Sequence, residues 1–265
     1  MPFLKLWLVS ALPCVLAFAQ ESPMASRAVD NPQPDFIVGQ MQTAQSGSRP
    51  TASYQVVREY RLFGGRSSNP TSEVWAEVDY LPPSHKSYVI QKRVGSGRGE
   101  DVVRRILQHE SRLVAGSGSS AAIDNNNYRF SYLGTVALDG NPCYLLSLDP
   151  KRKDIELISG KAWVDQHSFL VRRIEGQMAK TPSWLVKKVD LKIDFTMIEG
   201  LWLQSDMEAV AEIRFLGSQT LKSETVDARI GSLVTQKTPA VRARTGKPND
   251  NHMPAALVAS PEHRQ

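Results

Sequence analysis

The residues with the most potential for chemistry lie in a glycine-rich loop between a predicted strand and a predicted helix. The segment Val94-Gly95-Ser96-Gly97-Arg98-Gly99 places backbone N–H groups beside a helix N-terminus, an arrangement that can bind phosphate. It is not followed by the Gly-Lys-Ser/Thr that a nucleotide-binding P-loop requires. Two interpretations therefore stand: a flexible joint, or a contact between Arg98 and the anionic head group of a lipid.

Histidine and acidic side chains are weaker catalytic candidates. His109-Glu110 lacks the second histidine of a zinc-protease helix, and its surroundings place it on the polar or border side of a helix, which predicts solvated surface. Glu77 and Asp79 share one strand face, as a catalytic carboxylate pair could, but a solvated face is the simpler interpretation. The other histidines lack metal-ligand spacing, and no Gly-x-Ser-x-Gly motif occurs. The sequence therefore predicts a protein that is not an enzyme, with no catalytic residue, no metal and no cofactor.

The N-terminus has the features of a cleaved signal peptide that covers residues 1–19. A short apolar run ends at Ala17-Phe18-Ala19, the small-x-small pattern that signal peptidase accepts. The run is too short for a permanent membrane anchor. Cleavage also removes Cys14, so Cys143 has no disulfide partner, and its apolar strand pattern predicts a buried side chain. We expect the mature protein in the periplasm.

The charge pattern excludes one class of partner. The sequence has 32 Lys and Arg against 27 Asp and Glu, a formal net charge of +5. The basic residues are interleaved with acids along the predicted strands and do not form the basic stripe of a nucleic-acid-binding protein. We therefore expect no nucleic-acid partner.

Two helices and many strands must position these residues. Apolar residues at helical spacing predict a short helix over residues 34–45 and a second helix, with a single apolar stripe, over residues 99–115. Elsewhere apolar and polar residues alternate, which predicts antiparallel strands with one solvated face. One such strand is predicted over residues 155–164. Asp139-Gly140 and Glu199-Gly200 predict hairpin turns.

Together these patterns predict one mainly β domain over residues 34–234, with roughly ten antiparallel strands and one or two covering helices. Two long strands near its end predict a strongly curved sheet or a barrel. Alternation alone does not separate a barrel from a sandwich. Residues 20–33 are predicted to be flexible, and residues 235–265, rich in Pro, Ala and Asn, are predicted to be disordered.

Six segments and the order of the elements carry a family resemblance. The segments are residues 77–83, 86–100, 150–154, 163–165, 172–176 and 182–184. Together with the order of signal peptide, short helix, strands, amphipathic helix and hairpins, they resemble the LolA-like family of outer-membrane lipoprotein-sorting proteins. The resemblance covers about residues 34–230. Its motifs are structural, and none of them is a catalytic signature.

The resemblance implies an unclosed β-barrel whose helices act as a lid over an apolar cavity for acyl chains. The implied partners are lipid or lipoprotein acyl chains and inner- and outer-membrane proteins, and the carrier itself is a monomer. On this interpretation the apolar strand faces line the cavity. The candidates are Tyr54, Val56, Tyr60, Val78, Tyr80, Ile90, Leu191, Ile193, Phe195, Leu203 and Met207. The same faces would equally form an ordinary core.

One charged residue joins these candidates. Sorting proteins of this family often depend on an arginine to receive cargo, and Arg58 is the nearest candidate. It faces the same side as Val56 and Tyr60, and a charge on an apolar face requires a partner or a polar ligand. The predicted ligand-binding set therefore includes Arg58, with Arg98 as the head-group candidate.

Three functions remain open on the sequence alone. The first is a periplasmic carrier that binds acyl chains and moves them toward the outer membrane. The second is a non-catalytic envelope sensor or scaffold module that binds a protein partner. The third is an envelope lipid hydrolase. The carrier predicts a co-purifying lipid, the module predicts a stable protein complex, and the hydrolase predicts turnover.

Overall fold

The structure is a computed structural model that describes residues 33–65, 67–116 and 119–231. The predicted signal peptide, the predicted disordered tail and all but the last residue of the predicted flexible segment lie outside these residues. No helix within the described ranges is long and apolar enough to cross a membrane.

Ten strands and two α-helices follow one another along the described chain. They are α1 (Pro34–Gly47), β1 (Tyr54–Gly64), β2 (Ser72–Leu81), β3 (His85–Gly95), α2 (Gly97–Ala115), β4 (Tyr128–Leu138), β5 (Asn141–Pro150), β6 (Ile158–Asp165), β7 (Val171–Met178), β8 (Val186–Ile198), β9 (Leu201–Ile213) and β10 (Gly217–Ile230). A short 3₁₀ turn, Ser119–Ala121, precedes β4. Both predicted helices are present, and each is slightly longer than predicted.

All ten strands form one sheet in the order β3-β2-β1-β10-β9-β8-β7-β6-β5-β4. Every neighbouring pair is antiparallel. The first strand joins the two halves of the chain, because β1 pairs with β2 on one side and with β10 on the other. In the described part of the chain β3 and β4 are the sheet edges and do not pair with each other. The prediction of a mainly β, unclosed sheet with two covering helices is confirmed.

Two hairpin turns have the geometry that their sequences predict. Asp139 and Gly140 have φ angles of 50° and 79°, and Glu199 and Gly200 have φ angles of 49° and 81°. Two successive residues with positive φ are typical of a type I′ turn, whose twist matches that of paired strands. These turns therefore set the pairing of β4 with β5 and of β8 with β9.

One strand begins later than predicted. The strand expected over residues 155–164 begins at Ile158, as β6. The Asp154 carboxylate accepts a hydrogen bond from the Glu156 N–H at 3.2 Å, and such a local turn competes with the sheet ladder. Leu157 is nevertheless buried. The apolar pattern therefore continues through a buried turn as well as through the strand.

The core consists of two separate apolar clusters on the side of the sheet that the helices cover. Under α1, the side chains of Ile37, Val38 and Met41 pack on buried residues of β4 to β7. Under α2, Val103 and Leu107 pack on buried residues of β1, β2, β9 and β10. Each helix therefore covers one half of the sheet.

The strand between the two clusters, β8, carries several apolar residues that are only half-buried. Phe195 of β8 packs on the α1 cluster, and Met207 of β9 packs on the α2 cluster. Ile193 is the cross-strand partner of Met207, and it shares a face with Phe195 because residues two apart on a strand point the same way. Leu191 and Ile193 belong to neither cluster. We call these two residues the β8 strip.

Two glycines face each other across β6 and β7. Gly160 and Gly176 are register partners in this antiparallel pair. A Cβ atom at Gly160 would lie 2.5 Å from the Gly176 Cα, and one at Gly176 would lie 2.7 Å from the Gly160 Cα. Only glycine permits such a close backbone approach. Any side chain at either position would push the two strands apart.

Candidate functional site

A half-open pocket of about 850 Å³ lies where the C-terminal halves of both helices come close to the first two strands. Its apolar lining residues are Pro50, Tyr54, Tyr80, Pro83, Leu113, Val114, Ala122 and Ile123. Its polar lining residues are Gln42, Gln45, Ser46, Arg49, Ser84, Asp124, Asn125 and Asn126. The volume is that of an ordinary small-molecule site. With eight apolar and eight polar residues, the lining suits a ligand that has both an apolar part and a polar part.

Two stacked tyrosines form one wall of the pocket. Tyr54 begins β1 and is the register partner of Tyr80 on β2. Their ring centroids are 5.0 Å apart and the ring planes differ by 23°. The Tyr80 hydroxyl donates a hydrogen bond to the Pro83 carbonyl oxygen at 2.9 Å, which ties the β2–β3 turn to the same wall. The pocket therefore has a firmly held aromatic surface on this side.

A network of ion pairs lies beneath α2. The Arg58 side chain on β1 is 9% exposed, and its Nη1 is 3.1 Å from a Glu110 carboxylate oxygen on α2. The Lys86 Nζ on β3 contacts the same oxygen. The Arg58 Nε and the neighbouring Tyr60 hydroxyl are buried without a well-formed hydrogen-bond partner. Glu110 therefore connects one helix to two strands, in a place where charges are poorly solvated.

Burial and charge act in opposite directions on the Glu110 carboxyl. Burial raises its pKa, but the charges of Arg58 and Lys86 and their hydrogen bonds outweigh burial and hold the pKa at about 2. Burial lowers the pKa of the Lys86 ammonium. Burial also raises the pKa of Tyr60 to about 12, so its hydroxyl stays protonated. Glu110 is therefore a carboxylate throughout the neutral range.

The position of Glu110 corrects a prediction from the sequence. The pattern predicts solvated surface for His109-Glu110, and this is wrong for Glu110, which contacts buried cations. Glu110 lies three residues after Leu107 and seven after Val103, so it continues the apolar stripe of α2. That spacing, taken with a charge on the facing strand, is the sequence signal from which the ion pair could have been found.

The predicted cavity residues fall into three groups in the structure. Those that line the pocket are Tyr54 and Tyr80. Those that are buried in the α2 cluster or pack against it are Val56, Tyr60, Val78, Ile90, Leu203 and Met207. Those that lie on β8 are Leu191, Ile193 and Phe195. Two of the predicted residues, Tyr54 and Tyr80, therefore line the pocket, and a role in ligand binding stays a prediction for every residue of the set.

Packing accounts for the glycine-rich loop. Gly95 has a φ angle of 85°, and a Cβ atom there would lie 3.0 Å from the Ser72 Cα. A Cβ atom at Gly99 would overlap the Ser72 side chain. The Ser96 N–H donates to the Thr71 carbonyl oxygen at 3.2 Å, so this amide already has a partner. The loop is a close-packed joint, and Arg98 is exposed in the first turn of α2, where its role as a head-group contact stays a prediction.

The basic turn after β5 supports the wall of the pocket. Lys151 donates a hydrogen bond to the Asn125 carbonyl oxygen, and Arg152 Nη2 donates to the Ser120 carbonyl oxygen at 2.7 Å. Both bonds hold the segment that leads into β4. Since residues 122–126 of that segment line the pocket, the turn stabilises the shape of the site.

Two of the remaining chemical candidates have a structural explanation. Asp79 accepts a hydrogen bond from the Gln55 side chain at 2.8 Å. Cys143 is buried, as predicted, and burial raises the pKa of its thiol. Among the residues that the structure describes, no three His, Cys, Asp or Glu side chains are placed to hold a metal ion.

Comparison with known proteins gives distant matches. A family model described as "-like: Uncharacterized protein" matches residues 103–229. No curated protein sequence matches the chain. Among solved structures, the chain is similar to one named as an outer membrane lipoprotein-sorting protein domain, from Vibrio parahaemolyticus. That match has 11% identity and a TM-score of 0.45, and it covers 75% of this chain and 94% of the other.

Two further solved structures match a similar share of the chain. A DUF1329 family protein from Desulfovibrio piger has 15% identity and a TM-score of 0.40, with 76% of this chain and 94% of the other covered. A LolA superfamily protein from Nitrosomonas europaea has 13% identity and a TM-score of 0.34, with 75% and 93% covered. All three solved structures share 15% or less of their sequence with this chain.

Proposed function

We propose that the protein is a periplasmic carrier that binds the acyl chain of a lipoprotein or lipid in an apolar cavity and moves it toward the outer membrane. The observation that carries this proposal is the half-open pocket of about 850 Å³ between the helix ends, with its stacked tyrosine wall. An acyl chain gains about 0.8 kcal/mol for each CH₂ group removed from water, so an apolar wall is the main requirement for holding one. Transport of this kind needs no catalytic group.

The β8 strip is a second surface where we expect cargo contact. Leu191 and Ile193 lie between the two helix-covered clusters and are only half-buried. Apolar surface that the protein does not cover itself is typical of ligand-binding grooves. The strip would add apolar contact area to that of the pocket wall, and it therefore favours a ligand with a long apolar chain.

In this proposal α2 is a lid. Leu113 and Val114 line the pocket one turn after Glu110, whose carboxylate ties the helix to Arg58 and Lys86. Movement of α2 away from the sheet would break both ion pairs together. Arg58 would then influence cargo reception through the lid, without touching the acyl chain.

Native mass spectrometry tests the proposal directly. The protein is purified gently from the periplasm and weighed intact, and its lipid is then extracted and identified. We expect one lipid or acylated peptide bound to each chain. Protein that carries no lipid, and that also fails to take up a fluorescent fatty acyl probe, would contradict the carrier and favour a module that binds a protein partner.

A pair of substitutions on α2 tests whether the acyl probe binds in the pocket. Val114 lines the pocket, whereas Val102 on the same helix is 39% exposed. We expect Val114→Trp to weaken binding of the acyl probe by about tenfold or more, because the indole fills space that the ligand needs. Val102→Trp is the matched control and should bind the probe as the wild type does. Equal affinities of the two variants would mean that the pocket is not the site.

A further inference from the structure

Two loops at one end of the sheet expose large apolar side chains next to each other. Trp184 in the β7–β8 loop is 74% exposed, and Phe215 and Leu216 in the β9–β10 turn are 93% and 62% exposed. The loops are held together, because the Arg214 N–H donates a hydrogen bond to the Leu185 carbonyl oxygen at 2.8 Å. We call Trp184, Leu185, Phe215 and Leu216 the apolar tip.

Phe215 has an unfavourable backbone conformation. Its φ angle is 69°, in the left-handed region that bulky side chains avoid and that glycine or asparagine accepts. Its almost fully exposed ring makes too little contact with the rest of the chain to offset this strain. The folded chain by itself therefore gives no reason for phenylalanine here, which indicates a contact with something outside the chain.

Positive charge surrounds the apolar tip. Residues 180–188 and 213–218 include Lys180, Lys187, Lys188 and Arg214 and contain no Asp or Glu. Lys187 contacts the Glu212 carboxylate on β9, and Lys188 contacts the Asp190 carboxylate on its own strand, β8. Lys180 and Arg214 are exposed, and neither pairs with a carboxylate of the described residues. The surroundings of the tip therefore favour an anionic surface.

We propose that the apolar tip inserts into the surface of a bilayer that contains anionic phospholipids. Tryptophan and other apolar side chains bind well at the boundary between head groups and acyl chains, and lysine and arginine attract anionic head groups. The tip consists of two projecting turns, a shape that enters a lipid surface more readily than it forms a flat protein interface. Bilayer insertion accounts for the apolar rings, the strained turn and the unpaired cations together.

The apolar tip and the pocket lie at opposite ends of β1. Tyr54 in the pocket begins this strand, and Gly64 at its other end pairs with Gln219, next to the β9–β10 turn. The 11 residues of β1 span about 33 Å at 3.3 Å per residue. Bilayer contact at the tip therefore leaves the pocket uncovered. The proposal goes beyond the carrier function and does not require it.

Vesicle sedimentation tests the proposal. The protein as isolated from the cell is mixed with vesicles of phosphatidylcholine alone, or of phosphatidylcholine and phosphatidylglycerol in equal parts. We expect binding to the mixed vesicles, weakened by salt, and quenching of tryptophan fluorescence when the lipids are brominated. No binding to the mixed vesicles at low salt would overturn the proposal.

Substitutions locate the contact. Phe215→Asn and Trp184→Gln should each weaken binding to the mixed vesicles by about tenfold. Asparagine accepts the left-handed conformation, so Phe215→Asn should keep or raise the Tm, which separates lost binding from lost folding. Val89→Thr, at a side chain that is 53% exposed on β3, is the matched control and should bind as the wild type does. Tip variants that bind as tightly as this control would contradict the proposal.

Two further measurements separate bilayer contact at the tip from ligand binding in the pocket and from self-association. Val114→Trp should bind vesicles normally even though it blocks the pocket, so a failure of the carrier function would leave this result unchanged. Sedimentation velocity without vesicles should show a monomer for the wild type and for Phe215→Asn. A dimer that Phe215→Asn dissociates would overturn the bilayer proposal and assign the tip to a second copy of the chain.

Discussion

Glu110 contacts two cations that come from different strands, and both of those cations are largely buried. Without the charge of this carboxylate, Arg58 and Lys86 would repel each other beneath α2 with little water to screen them. A buried charge left without its partner is much more destabilising than a broken ion pair at the surface. Glu110 therefore adds a charged contact with two strands to the apolar packing that holds α2 on the sheet.

Neutralising Glu110 should destabilise the fold much more than neutralising another acid of the same helix. We expect Glu110→Gln to lower the free energy of unfolding by about 3 kcal/mol, because two buried cations lose their counter-charge. Glu100 also pairs with two arginines, but the side chains of Arg93 and Arg104 are exposed, whereas those of Arg58 and Lys86 are largely buried. Glu100→Gln should leave the urea midpoint close to that of the wild type. Similar midpoints for the two variants would contradict the prediction.

The same carboxylate should make stability depend on pH. Its pKa falls from the ordinary value of 4.5 to about 2 on folding, so its stabilising contribution is complete above about pH 4.5 and is lost as the pH falls toward 2. Urea unfolding of the wild type and of Glu110→Gln across this range measures the contribution. The difference in unfolding free energy between the two should shrink as the pH falls. A difference that stays constant would show that Glu110 is not the titrating group.

Sequence reasoning identified one half of this ion pair. The alternation along β1 places Arg58 on an apolar face and so predicts that it needs a partner. The partner lies 52 residues away, on a helix whose rotation against the sheet is set by tertiary packing. Local patterns contain the stripe of α2, which includes the position of Glu110, but not its register on β1 and β3, so they do not show that Glu110 faces Arg58.

At the scale of the elements, the backbones of β6 and β7 approach each other so closely that both strands need glycine at the point of contact. Gly160 and Gly176 face each other with no room for a Cβ atom on either side. Both strands also carry residues of the α1 cluster, among them Ala162 and Ile174. A change in the separation of the two strands therefore disturbs the packing under α1 as well as the ladder.

Two glycine-to-alanine substitutions should have opposite effects on stability. Gly160→Ala should lower the free energy of unfolding by about 2 kcal/mol or more, because its methyl group overlaps the backbone of β7. Gly39 lies in α1, and a Cβ atom there has no neighbour within 4 Å. Gly39→Ala should therefore raise the free energy of unfolding by about 0.5–1 kcal/mol through helix propensity. Thermal and urea unfolding measure both, and changes of the same sign would contradict this account.

The existence and type of the elements were largely predictable, and their arrangement was not. Period-two alternation identifies the strands, and the Asp-Gly and Glu-Gly pairs identify two turns, because both signals come from neighbouring residues. The pairing of β1 with β10 joins Tyr54 to Ile230, and no short-range pattern contains it. The late start of β6 depends on a side chain of Asp154 that competes with the sheet, which alternation also does not reveal.

For the molecule as a whole, the two apolar clusters have no buried residue in common. Leu146 belongs to the α1 cluster and Leu107 to the α2 cluster, and both are fully buried. Since cavity formation acts on nearby packing, a defect in one cluster should not change the packing of the other. The two halves are connected through the backbone ladder and the β8 strip.

This separation predicts additive effects. Leu107→Ala and Leu146→Ala should each lower the free energy of unfolding by about 2–5 kcal/mol, as large-to-small core substitutions do. The double variant should lose the sum of the two values to within about 0.5 kcal/mol. Urea unfolding of all three variants tests this. A large coupling energy would show that the two halves form one core.

The unpaired edges at β3 and β4 have a consequence for the sizes of ligand that the curved sheet can accommodate. In a closed barrel, strand number and stagger determine the diameter, and widening the barrel would break hydrogen bonds. Among the residues that the structure describes, β3 and β4 do not pair, so no seam fixes the circumference. A small change of twist, distributed over ten strands, therefore alters the circumference while every ladder stays intact. We therefore expect the sheet to adjust its curvature and to bind ligands of different thickness with little difference in affinity.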